Sequence, residues 1–142
     1  MDVLNGVTPE EAVWQHHSYA NEEAQPDFPT PGSMLWQIAH LAHAARHYAE
    51  TLRLRPVVIE PLTSVPLAAS LSQWVEVLER SHRELRKAIG TLSEEDLFQP
   101  CARGLNVGEF VRMAIRHVSW HAGQIAVARR LYRDYKQHMT LK

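Results

Sequence analysis

A chain of 142 residues with 45% hydrophobic and 22% charged side chains can bury a core of its own, and we read residues 1–142 as a single globular domain. Fifteen basic residues against sixteen acidic ones leave a net charge of −1, without the broad positive footprint that nucleic acid or an acidic membrane would require. The single cysteine, Cys101, cannot form an internal disulfide. No apolar run approaches the ~18 residues of a membrane span, and residues 1–6 carry no basic, apolar leader, so a cytoplasmic protein is expected.

In chain order, Thr8-Pro9-Glu10-Glu11 reads as an N-cap, a proline at the first helical position and a capping glutamate, opening a short helix to about Gln15. Residues 18–29 read as loop. Thr30-Pro31 repeats the device and is expected to start a long helix that stops near Leu54, ahead of Pro56. Pro56, Pro61 and Pro66 make residues 55–66 a connector. Over 67–89, Leu67, Leu71, Trp74, Leu78, Leu85 and Ile89 recur at helical spacing, with Gly90 where a helix-ending glycine belongs. Ser93 to Asp96 reads as a capped turn, stopped by Pro100. Asn106 and Glu109 then open a last long helix to about Tyr135, and residues 129–142 read as a fraying, solvated end. No segment alternates as a half-buried strand does, so the fold class is all-α, a helical bundle.

Nine histidines stand at positions 16, 17, 40, 43, 47, 82, 117, 121 and 138. His117 and His121 lie one helical turn apart, in the same seam as Phe110, Ala114, Val118, Ile125, Ala128 and Tyr132, a spacing from which two imidazoles can converge on one ion. Gln124 borders that seam and can hydrogen-bond a ligand or a water. On the earlier long helix Met34, Ile38, Leu41, Ala45, Tyr48 and Leu52 form one apolar stripe, while Trp36, His40, His43 and His47 form another on nearly the opposite side. A helix apolar on two faces sits deep in a bundle or lends one face to a subunit interface.

One buried histidine is more often a hydrogen-bonded core residue than a ligand. Two groups on two helices favour a metal, because burying several imidazoles without a shared partner is costly. His16 and His17 read as solvated, His82 as a core-margin residue and His138 as tail. The four tryptophans are packing residues first, with Trp36 and Trp120 placed to wall a pocket.

The segments Pro31-Gly32-Ser33-Met34-Leu35-Trp36-Gln37-Ile38-Ala39-His40-Leu41 and Arg116-His117-Val118-Ser119-Trp120-His121-Ala122-Gly123-Gln124-Ile125 resemble the DinB/YfiT-like family of metal-dependent enzymes, the second through its H-x-x-x-H-x-G-Q block. The likeness runs from about Gly6 to Tyr132. It implies an up-down-down-up four-helix bundle, commonly dimeric, holding a divalent ion, usually zinc or nickel, on three histidines. By motif position these are His40, His117 and His121, with His43 the rival of His40. Family members have a long first helix where only five residues precede Gly6 here, so the first helix is expected to be short or missing, and a second subunit to cover the seam.

Three imidazoles leave a tetrahedral ion one open position, the mark of a catalytic arrangement. Val118, Ser119 and Trp120 put no glutamate between the two helical histidines, which disfavours peptide hydrolysis. The ion itself would then activate a water or a thiol. Characterised relatives include thiol-dependent transferases and isomerases, so the resemblance implies a transferase using a low-molecular-weight thiol on a small molecule; a hydrolase follows the same metal-activation logic, with Gln124 expected to support a ligand or contact the substrate and Trp36 and Trp120 to wall the pocket. The rival class is a non-catalytic metal or small-ligand module, such as a stress-associated accessory protein. Cys101 is assigned no role.

Overall fold

The computed structural model describes residues 2–17, 29–55 and 70–140, and among them four α-helices and no strand: α1 Pro9–Val13, α2 Met34–Leu54, α3 Leu71–Gly90 and α4 Val107–Thr140. Short 3₁₀ turns occupy Asp2–Leu4, Glu95–Phe98 and Ala102–Gly104. The expected loop at 18–29 and connector at 55–66 fall almost wholly outside the described residues, as does Leu67.

Side-chain caps set most helix starts. Thr8 Oγ1 accepts the Glu11 amide at 3.1 Å, and α1 stops at Val13, two residues before the expected end. Thr30 does not cap α2. Thr30-Pro31-Gly32-Ser33 closes on itself instead, with the Ser33 amide donating to the Thr30 carbonyl at 3.1 Å and Gly32 at φ 75, the positive angle that glycine supplies after a turn proline. Ser33 then caps, its Oγ accepting from the Trp36 amide at 3.1 Å. Ser70 and Gln73 form a capping box that starts α3. Gly90 is the last residue of α3 rather than the residue beyond it, and Thr91 takes the C-cap in right-handed geometry. Asn106 and Glu109 cap α4 reciprocally, at 2.8 and 2.9 Å.

Contacts give the helix directions. His43 meets Trp74 and Arg53 meets Glu84, so α2 and α3 run parallel. Gln37 meets His121, while Tyr48 meets His117 and Phe110, so α2 and α4 run antiparallel. With the five-residue α1 ahead of them, these make a helical bundle in which α2 and α3 run one way and α4 the other. α3 packs closely along α2, and α4 approaches α2 less closely.

Two core clusters follow one another along α2. Met34, Ile38, Leu41, Trp74, Leu78 and Ile125 belong to the first; Ala45, Tyr48, Leu52, Leu85, Phe110 and Ala114 belong to the second. The expected fraying end is helical to Thr140, anchored at Arg129 and Tyr132, with residues 133–140 exposed to solvent as expected. Arg129 binds Glu11 at 3.0 Å and the carbonyls of Val3 and Asn5 at 2.8 and 2.9 Å, while Trp14 packs on Tyr132 and Tyr135. The amino-terminal turns thus dock on the carboxy-terminal half of α4 and keep it helical to Thr140.

Candidate metal centre

At the junction of the two core clusters, three imidazoles from two helices point their Nε2 atoms at one another. His40 Nε2 lies 3.2 Å from His117 Nε2, and His121 Nε2 lies 3.0 Å from the same atom. All three offer a ligand atom within 4.8 Å of the others. His121 is 2% exposed, and His40 and His117 are half-buried. The one-turn spacing of His117 and His121 supplies two sides of the triangle, and the antiparallel passage of α2 brings His40 to the third.

The proton inventory of this triangle tests its fitness for a cation. Gln37 presents Oε1 to His121 Nδ1; an oxygen there only accepts, so Nδ1 carries the proton and Nε2 offers a lone pair. His117 Nδ1 lies 3.2 Å from the Tyr48 hydroxyl, which can accept in the same way and leave the second Nε2 bare. Two lone pairs facing each other at 3.0 Å repel unless a proton or a cation lies between them. Nitrogens around a tetrahedral zinc at ~2.0–2.1 Å stand roughly 3.3 Å apart, close to the separations seen here. The donor set therefore fits a divalent ion.

The electrostatics agree, because neutral imidazole is the form that ligates. Burial pushes His121 down to about 4, helped by the neighbouring His40 and His117. Burial likewise lowers His40, with His117 and then His43 adding to it, and lowers His117, with the Arg103 charge adding to it.

The other candidates fall around this triangle in different ways. His43 lies on the α3 side, its ring 5.8 Å from that of Trp74, and does not join the cluster. Trp36 stacks on His40, ring centroids 5.0 Å apart and 6° from parallel. Trp120 sets its edge against His121 at 4.6 Å while remaining 60% exposed. Gln124 is half-buried and lines a cavity of about 480 Å³ with Trp14, Trp120 and Leu131. His16, expected in solvent, is half-buried and lines that cavity too; His82 is half-buried on α3, and His17 and His138 are exposed.

Gln37 and Tyr48 were missed by sequence reasoning as partners of the histidines. Tyr48 belongs to the apolar stripe, and Gln37 stands three residues before His40 without being part of a histidine motif. A buried amide inside an otherwise apolar helix face was the one available signal.

The family model described as the DinB superfamily matches residues 1–125. The chain belongs to the DinB superfamily. No curated protein and no solved structure matches it. As a DinB chain it is a helical bundle with a three-histidine cluster able to hold a metal ion. Among the described residues, no helix is long and apolar enough to cross a membrane.

Proposed function

We propose that His40, His117 and His121 hold a divalent cation, zinc or nickel, and that the protein is a metal-dependent transferase or hydrolase acting on a small molecule, with a low-molecular-weight thiol as co-substrate. The observation that carries this reading is the convergence of three Nε2 atoms, one with its lone pair fixed by Gln37. When bound, such an ion supplies Lewis acidity, lowering the proton affinity of a coordinated water or thiol.

The chain's own residues do the rest. Gln37 and Tyr48 hold two imidazoles in the ligating tautomer from behind. Trp36 and Trp120 flank the cluster and keep water from its edges. Among the described residues no carboxylate joins His40, His117 and His121, and none stands in the turn between the two α4 histidines, which favours a thiol, acidic enough to ionise on coordination, over peptide hydrolysis. The protein works as a homodimer, in which a second copy covers the apolar groove described below.

Metal analysis of protein purified without a histidine tag tests this first. About one ion per chain is expected, none in His121→Ala, and the loaded protein should transfer thiol to electrophiles. Full occupancy in His121→Ala would sink the ligand assignment. Stoichiometric metal without turnover, together with a metal-dependent change of oligomeric mass, would favour the binding-module reading.

A further inference from the structure

The cavity of about 480 Å³ beside His121 has none of the three clustered histidines in its lining, but it shares two residues with their surroundings. One is Gln37, whose Oε1 takes the His121 Nδ1 proton, and the other is Trp120, whose ring stands 4.6 Å from the imidazole. Trp14, Val127, Ala128 and Leu131 continue an apolar wall, and Gln124 adds a second amide. Among the described residues the lining carries no carboxylate, ammonium or guanidinium, and His16 is its one ionisable group. Apolar walls, tryptophan faces and a few amides suit a small neutral molecule.

Two observations mark the space as kept for a ligand. Gly123 lies in the interior of α4, where glycine weakens a helix relative to alanine. Its φ is not left-handed, and a Cβ built on it would meet no atom within 4 Å among the described residues. Neither backbone conformation nor packing therefore calls for glycine, and a side chain at 123 would extend into the cavity that this residue lines. The second observation is Gln37, only 6% exposed. Its Oε1 contact with His121 is the one hydrogen bond its side chain makes among the described residues, which leaves the N–H groups of Nε2 to whatever enters the cavity.

We propose that this cavity binds a neutral, planar aromatic molecule bearing a carbonyl, its ring against Trp14 and Trp120 and its oxygen accepting from Gln37 Nε2–H. On the functional reading above, such a molecule is the small-molecule partner of the thiol. That identification rests on the metal site; the binding itself does not.

The metal-free protein is titrated with acetophenone, ethylbenzene and benzoate, followed by the Trp120 indole and Gln37 amide signals in NMR, with the melting temperature of each variant measured alongside. Acetophenone is expected to bind the wild type about fivefold tighter than ethylbenzene, as one hydrogen bond provides. Benzoate should bind most weakly, since no lysine or arginine lines the cavity. Gln37→Leu should erase the preference for the ketone while leaving ethylbenzene in place. Gly123→Leu should weaken both neutral ligands about tenfold or more by filling the space, and its melting temperature should hold or rise, leucine being the better helix former. A ketone bound equally well by Gly123→Leu, a wild type without preference over ethylbenzene, or benzoate as the tightest of the three overturns the assignment. So does a Gly123→Leu melting temperature well below that of the wild type, which would mean that the chain's own residues fill the space. Acetophenone bound through Gln37 in a protein that takes up no divalent metal would uphold the cavity and sink the thiol reading instead.

Discussion

His121 is held neutral inside the bundle at the acid end of its range, and that single residue ties stability to pH. In the metal-free protein its folded pKa of about 4 lies below the ordinary imidazole value of 6.5, so the unfolded chain takes up a proton that the native state refuses. The resulting stability is complete above about pH 6.5 and is lost as the pH falls toward 4, on the order of 3 kcal/mol from this group. Urea unfolding of the metal-free protein across that range should show the fall, and His121→Gln should flatten it; a wild type equally stable at pH 7 and 4.5 would contradict a buried neutral His121. Gln37 acts through the same ring. Gln37→Leu removes the acceptor on Nδ1 and should weaken metal binding about 10–100-fold, with the fold kept. Competition against a chromophoric chelator measures this, and an unchanged affinity would mean that packing alone orients the ring.

At the level of elements, α4 owes its last turns to what docks on them. Glu11 and Arg129 pair with side chains only 6% and 12% exposed, and Arg129 also satisfies two carbonyls of the amino-terminal turn. Arg129→Met strands a buried carboxylate and should cost about 3–5 kcal/mol in urea unfolding, and pairing it with Glu11→Leu should recover part of the loss. A loss under 1 kcal/mol would show that the amino-terminal segment is not anchored there. The same docking explains why local signals stopped this helix too early: charge density at 129–142 reads as solvation until a partner surface is known. The Thr30-Pro31 pair misled for the opposite reason, since a cap and a turn use the same residue types and Gly32 decides between them through its positive φ.

For the molecule as a whole, α3 and α4 both pack on α2, and among the described residues a groove runs between them. The resulting groove, about 700 Å³, is lined by Leu78, Leu85, Ile115 and Val118, with Arg86 and His82 on its wall, and Ile115 is 56% exposed. It is larger than the cavity near the histidines, and among the described residues its apolar lining lies open, the kind of face that a partner covers. A homodimer burying it should sediment at twice 16.2 kDa, and Ile115→Glu should return it to one chain's mass. A wild type monomeric at micromolar concentration would remove the dimer from the proposal.

Periodicity and capping residues, all local quantities, were enough to set the all-α class, the positions of the long helices and the one-turn pairing of His117 with His121. The choice between His40 and His43 was not local. They differ by three residues, little less than one turn, so both lie within one broad helix face, and only the side from which α4 crosses α2 separates them: His40 turns to that crossing and His43 to Trp74 on α3. Gln37 and Tyr48 became visible as histidine partners for the same reason, because their hydrogen bonds join residues 84 and 69 positions apart, and no window along the chain contains both partners.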